Sequence, residues 1–285
     1  MDKLNGWARA YPAPAKLNLF LHVVGKRADG YHLLQTAFRL IDHCDWLRYA
    51  PREDGEIRLT RPLQGIEESD ELSMRAARLL QAWAGIRQGV DISLDKRIPV
   101  GGGLGGGSSD AATTLLVLNR LWKVGASSRQ LAHLGLKLGA DVPFFLFGKS
   151  AFAEGIGEQL TELELAPAWY VVLIPPVIVS TAAVFASPEL TPNSKTIKIS
   201  SFSAGFGRND LEPIVCKRHG DVAAHLAWLK QFGDARMSGS GSCVFAEFGT
   251  EREAQRVLSS VPEGMRGFAV RGLDRHPLTA LLEDG

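Results

Sequence analysis

The chain has 285 residues, 45% of them hydrophobic, with 32 lysines and arginines against 31 aspartates and glutamates. This composition supports a buried core in one large domain or two ordinary ones, and excludes a basic nucleic-acid surface or a polybasic membrane anchor. Cys44, Cys216 and Cys243 lie far apart, with neither metal-ligand spacing nor an even number for disulfides, so a reducing, cytoplasmic setting is expected.

The opening residues, MDKLNGWARAYPAPAK, lack the apolar core of a secretory signal. Residues 16–24, KLNLFLHVV, read as a strand. Asp29-Gly30 marks a turn within KRADGY, and residues 33–47 continue as extended or mixed structure. Ser69 and Asp70 are candidate N-caps for a helix carrying Leu72, Ala76, Leu79, Leu80 and Trp83 at helical spacing. Val90, Ile92 and Leu94 alternate with Asp91, Ser93 and Asp95, the pattern of a half-buried strand. PVGGGLGGGSSD follows at residues 99–110, and Ser108 or Ser109 is expected to cap a helix through AATTLLVLNRLW. Ser127 and Gln130 have capping-box spacing for another helix that stops at Gly139, and Asp141-Val142-Pro143 opens the apolar run FFLF.

The texture changes after Gly148, which suggests two α+β halves, residues 1–152 and 153–285. Residues 151–163 suggest two short strands around Gly155 and Gly157. Residues 165–188 carry no charge, but Pro167, Pro175, Pro176 and Pro188 interrupt them and β-branched residues are frequent. A buried strand, a proline-marked loop and a second element are expected there, and no membrane span. Residues 191–207 read as a mobile loop, 221–232 as helix and 243–248 as strand. There is no internal repeat.

Six glycines wedged between a strand pattern and an apolar helix are the most informative feature. Glycine lets a backbone approach a ligand closely, and a helix N-terminus presents unpaired N–H groups and a positive dipole end. Together they form an anion site, most often for phosphate. Gly101, Gly103 and Gly106 satisfy G-x-G-x-x-G, yet no acid occurs between Asp110 and Asp141 to hold a dinucleotide's ribose. A P-loop needs lysine after its last glycine, whereas Ser108 follows Gly107. The HRD and DFG partners of a protein-kinase loop are absent. A flexible linker does not normally sit between a strand and a capped helix. What remains is a phosphate loop of another design, with backbone N–H groups from Gly103 to Ser109 around the phosphates and Ser108 or Ser109 as a hydroxyl donor to phosphate or Mg²⁺.

PVGGGLGGGSSDAA resembles the second motif of the GHMP kinase superfamily. PAPAKLNLFLHVVGKRADGYHLLQT resembles the N-terminal signature of the 4-diphosphocytidyl-2-C-methyl-D-erythritol kinase family within it, and LGADVPFFLFG that family's aspartate segment. FAEGIGEQL and RMSGSGSCVFAEF resemble its later glycine motifs, so the resemblance runs in order from residue 12 to residue 248. It implies an α+β, two-domain fold: a ribosomal-protein-like α/β nucleotide domain over residues 1–152, a ferredoxin-like domain over residues 153–285, and an active site in the cleft between them. It implies ATP and Mg²⁺ as cofactors and a small-molecule acceptor, the 2-hydroxyl of 4-diphosphocytidyl-2-C-methyl-D-erythritol, on the non-mevalonate route to isoprenoids. It names neither the Mg²⁺ ligands nor an oligomeric state.

Residue roles follow from the same resemblance. Asp141, by itself a plausible helix N-cap, becomes the general base. Lys16, by itself a solvated strand end, becomes the cation beside Asp141 and the γ-phosphate. Asn18 shares its strand face and is expected to contact the acceptor. Tyr31, His32 and Phe185, ordinary as edge aromatic, surface histidine and core phenylalanine, become the cytosine site, and Thr181 lies on the same side. Lys96, Pro99, Val100, Gly101, Gly102, Gly103, Leu104, Gly105, Gly106, Gly107, Ser108 and Ser109 form the ATP side. Glu71 stands where many members carry asparagine, which bears on the adenine contact. Gly239, Ser240 and Gly241 form a tight turn whose backbone packs near the ligands. A serine hydrolase is excluded because G-x-S-x-G does not occur. Two alternatives remain. Another superfamily kinase, for mevalonate, homoserine or a sugar, has no use for Asp-Gly-Tyr-His, and a silent ligand sensor has no use for both Lys16 and Asp141.

Overall fold

The computed structural model of the chain describes residues 6–7, 9–63, 67–202 and 205–279. A long antiparallel ribbon of β1 (Tyr11–Lys26) and β2 (His32–Arg52) forms its spine. β1 starts five residues before the expected strand. Its Pro12 and Pro14 are tolerated because, among the described residues, that stretch of β1 pairs with β2 alone, and an edge strand can spare N–H donors on its open side. β2 is strand throughout, because different stretches of it have different partners. Trp46–Arg52 pair with β4 (Gly89–Asp95), which carries β3 (Ile57–Leu59) in parallel on its far side. Thr36–Phe38 pair with the hairpin of β5 (Ala151–Glu154) and β6 (Gln159–Glu162).

Helices α1 (Leu72–Ala84), α2 (Gly106–Leu121), α3 (Ser128–Leu138) and α4 (Val142–Phe147) pack on this half through a core that includes Leu40, Leu47, Met74, Leu80, Leu115, Leu118, Phe144 and Phe145. α3 has the expected capping box and ends at Gly139. Two other cap expectations are corrected. α1 is capped by Glu71 rather than Ser69 or Asp70, because the Glu71 side chain folds back to accept from the N–H groups of Ser73 and Met74. α2 starts before Ser108 and Ser109: Gly105 takes up a left-handed conformation at φ 74°, and the helix begins at Gly106 without a side-chain cap.

The second half is built on β7 (Trp169–Leu173), the buried strand expected ahead of the proline loop. Then follow α5 (Thr181–Phe185), α6 (Glu212–Arg218), α7 (Gly220–Leu229), β8 (Arg236–Met237), β9 (Val244–Phe248), α8 (Glu251–Ser259) and β10 (Gly267–Leu273). β7 lies between β9 and β10, and β10 also pairs with β2 at Leu40 and Ile41. The last strand thus joins the two halves, and a cluster containing Leu17, Phe20, Phe152, Tyr170, Val172 and Phe245 fills the space between them.

Residues 191–207 include a short 3₁₀ turn at Ile199–Ser201, with residues 203–204 outside the described set. The rest is fastened rather than free. Gln35 exchanges hydrogen bonds with the backbone of Ile197, Ser194 N–H donates to the Val23 carbonyl, and Phe202 and Phe206 pack on Phe20.

Candidate active site

A cavity of about 900 Å³ opens between the halves. Its walls come from β1 (Lys16, Asn18), β2 (His32, Thr36, Phe38), the glycine loop, Asp141 ahead of α4, α5 (Thr181, Phe185) and the turn at residues 239–241. All the residues singled out from the sequence as site residues line it except Ser109, which is fully buried in α2 and whose Oγ has no hydrogen-bond partner among the described residues. Starting α2 at Gly106 rather than at the serines sends Ser108 to the cavity and Ser109 into the core.

The glycine loop is held from behind by backbone. Leu104 carbonyl accepts from Lys16 N–H, and the carbonyls of Gly101 and Gly102 accept from the N–H groups of Ser242 and Cys243. Ser238 Oγ donates to the Gly103 carbonyl at 3.0 Å. A Cβ on Gly103 would lie 2.1 Å from the Ser238 carbonyl oxygen, and its φ is 73°. Glycine is therefore required there on both space and conformation.

Two lysines flank the loop. Lys96 Nζ donates to Asp45 at 2.5 Å and to Asp110 at 2.8 Å, and both carboxylates are buried. Asp45 also accepts from the N–H groups of Arg97 and Ile98, so it fastens the entry to the loop. Burial, then the neighbouring Asp45, pushes the Asp110 carboxyl up to about 8 against the pull of Lys96; one ammonium does not balance two buried carboxylates.

Lys16 has different company. Its Nζ donates to Asn18 Oδ1 at 2.5 Å, lies 3.4 Å from Asp141 Oδ2 and sits 5.3 Å from the centre of the Phe38 ring. The Lys16 side chain is 4% exposed and that of Asp141 33%. Asp141 precedes α4 in the N-cap position but makes no capping bond with its side chain. The carboxylate thus faces Lys16 and the cavity, and only the positional part of the N-cap expectation holds.

At the other end, the His32 and Phe185 rings lie 5.4 Å apart, inclined at 32°. Tyr31 stands beside them, 61% exposed. Burial, then Lys26, holds the His32 imidazole below its ordinary range, which favours the neutral ring with one donor and one acceptor. Thr181 Oγ1 lies 2.6 Å from Ser240 Oγ. Thr36, Asp45, Asp110 and Ser238 are the site residues that sequence reasoning missed. Only Asp110 carried a signal, as the one acid at the head of a helical run with no other acidic residue.

The GHMP kinases N-terminal domain model matches residues 71–149, and the GHMP kinases C-terminal model matches residues 198–267. A 4-diphosphocytidyl-2-C-methyl-D-erythritol kinase of Thiobacillus denitrificans is 60% identical over 271 residues, covering 95% of this chain and 98% of that one. The enzyme of the same name from Nitrosospira multiformis is 60% identical over 270 residues, covering 94% and 92%. The chain belongs to the 4-diphosphocytidyl-2-C-methyl-D-erythritol kinase family of the GHMP kinases. A crystal structure of 4-(cytidine 5'-diphospho)-2C-methyl-D-erythritol kinase superimposes with a TM-score of 0.81 at 34% identity, over 93% of this chain and 99% of that one. A mevalonate kinase, at 15% identity and a TM-score of 0.69, shares the fold. Membership of the family makes the chain a phosphotransferase with an alcohol acceptor, an ATP-dependent kinase of isoprenoid biosynthesis in the two-domain α+β GHMP kinase fold. Among the described residues no helix is long and apolar enough to cross a membrane.

Proposed function

We propose that the chain transfers the γ-phosphoryl group of ATP to the 2-hydroxyl of 4-diphosphocytidyl-2-C-methyl-D-erythritol, with Asp141 as general base and Lys16 as its electrostatic partner. The observation that carries this reading is the Lys16–Asp141 pair, 3.4 Å apart between the glycine loop and the His32–Phe185 rings. Phosphoryl transfer needs positioning and charge neutralisation more than covalent help from the protein. The loop N–H groups and the N-terminus of α2 hold the phosphates of ATP. Asp141, open to the cavity, accepts the proton of the acceptor hydroxyl as its oxygen bonds to the γ-phosphorus and the bond to the β,γ-bridging oxygen breaks. Lys16 stabilises the charge spread over the phosphoryl oxygens. The product ADP then leaves.

Tyr31, His32 and Phe185 take the cytosine by stacking and by the polar edge of the imidazole. Asn18 and Thr181 line the path between base and hydroxyl. Lys96 stands at the mouth of the ATP side and, with residues 99–108, completes it. Among the described residues no three His, Cys, Asp or Glu side chains gather into a metal cage. That suits Mg²⁺, which keeps water and phosphate oxygens and asks for only one or two protein ligands. Ser108, whose residue lies on the wall at the phosphate loop, fits such an ion, which when bound would neutralise charge on the phosphates. The two halves divide the work: residues 1–152 hold ATP, and residues 153–285 supply Phe185, Thr181 and the turn at residues 239–241.

ADP release measured with the cytidine diphosphate acceptor, beside mevalonate, homoserine and galactose, tests the reading. Turnover is expected with the first alone. Preference for any of the other three rejects the acceptor assignment, and no turnover with any of them favours a ligand sensor.

A further inference from the structure

Asn18 has one amide oxygen and one amide nitrogen, and the one that faces Lys16 decides whether the pair attracts or repels. An amide orientation is fixed by its surrounding hydrogen bonds, and here the proton count settles it. Thr36 Oγ1 has a single proton, which it donates to the Phe20 carbonyl. Toward Asn18, 3.0 Å away, the hydroxyl has only lone pairs to offer. It must therefore accept from Asn18 Nδ2, which turns Asn18 Oδ1 to the Lys16 ammonium at 2.5 Å. The reversed amide would set its carbonyl oxygen against a hydroxyl with no proton to give, and an N–H against an ammonium.

The backbone gathers these groups through a bulge. The register of β1 on β2 shifts between Asn18 and Phe20, so Asn18 lies opposite Phe38 and Phe20 opposite Ala37. Such a shift re-aims side chains near functional sites. Asn18 is fixed from its backbone as well, since its N–H donates to Ser238 Oγ at 3.2 Å, and that hydroxyl spends its own proton on the Gly103 carbonyl. Thr36 is 1% exposed, so water does not compete for these bonds.

We infer that Thr36 is a positioning residue for phosphoryl transfer: anchored on the Phe20 carbonyl, its hydroxyl orients the Asn18 amide that holds Lys16 at Asp141. The inference rests on the reading of Lys16 and Asp141 as the transfer pair. Its specific content is that only the hydroxyl matters, and that the effect falls on the chemical step.

Thr36→Val keeps the shape and removes the proton; Thr36→Ser keeps the hydroxyl; Thr36→Ala removes the hydroxyl without crowding, should valine disturb the fold. Steady-state ADP release with ATP and the cytidine diphosphate acceptor is measured for each in the full chain, beside Asp141→Asn. For Thr36→Val and Thr36→Ala, kcat is expected to fall about tenfold, with both KM values within about threefold of the parent. Thr36→Ser is expected to recover kcat to within about threefold. The inference is overturned by an unchanged kcat in both the Val and Ala variants, by an acceptor KM that rises at constant kcat, or by a serine variant as impaired as valine. Full activity in Asp141→Asn overturns the underlying reading instead; loss there with Thr36→Val and Thr36→Ala intact overturns only the role of Thr36.

Discussion

The two lysines beside the glycine loop, one buried and one half-buried, make opposite use of carboxylates. Lys96 is sealed between Asp45 and Asp110, both essentially inaccessible, and its charge is consumed within the protein. Lys16 is buried more deeply itself, yet its carboxylate, Asp141, stays one-third exposed and its second partner is a neutral amide. A charge balanced internally fixes geometry; a charge balanced against an open group is available to a ligand. The Lys96 cluster ties β2, the end of β4 and the first turns of α2 into a frame for the glycine loop, while the Lys16 pair faces the cavity.

The largest expected effect breaks the open pair. Asp141→Asn keeps the shape and removes the proposed base, and phosphoryl transfer should fall by roughly 10²–10⁴-fold. Calorimetric ATP binding should stay near the parent value, and a variant that also loses ATP would place Asp141 in the frame rather than in the chemistry. Next comes the sealed cluster. Lys96→Met strands the buried Asp45 carboxylate and takes the hydrogen-bond donor from Asp110, with an expected loss of roughly 3–5 kcal/mol in urea unfolding. Loss of ATP affinity at undiminished stability would show instead that Lys96 behaves as Lys16 does.

The pH response sharpens the contrast further. The Asp110 carboxyl is raised in the folded chain, so its contribution is present at low pH and lost as pH rises through about 8, where the buried group must ionise. Thermal stability should decline between about pH 4 and about pH 8, with a slope of at most about 1.4 kcal/mol per pH unit from this group, and level off above; Asp110→Asn should flatten the decline. The smallest effect lies at the acceptor end. Phe185→Ala removes one face of the proposed base clamp and should raise the acceptor KM about tenfold while leaving the KM for ATP unchanged. An equal rise in both would place Phe185 in the core and not in the clamp.

The grouping of the candidate site was legible where its residues travel in short, ordered segments. Lys16, the Asp-Gly-Tyr-His turn, the glycine loop and Asp141 are each visible within a dozen residues, and the structure brings them to one cavity. It was not legible where a residue acts through a partner distant in the chain. Asp45 meets Lys96 across 51 positions and Ser238 meets Gly103 across 135, separations that no local pattern encodes. The caps failed for a local reason. Serine and aspartate are favoured on average, but the longer Glu71 side chain reached back to its own helix, and Gly105 bent the chain early enough to start α2 ahead of its serines. β10 carried too little alternation to be seen, and only its pairing with both β2 and β7 makes it a strand.

The contact between Gly103 and Ser238 has a consequence in time as well as in space. During synthesis the phosphate loop leaves the ribosome 135 residues before the backbone that supports it. Until residues 238–243 arrive, the carbonyls of Gly101, Gly102 and Gly103 lack their partners, and the loop has no rear wall to set its curve. A chain shorter than that therefore has the signature of a nucleotide site without its shape, and ATP binding becomes a report that synthesis has passed residue 243.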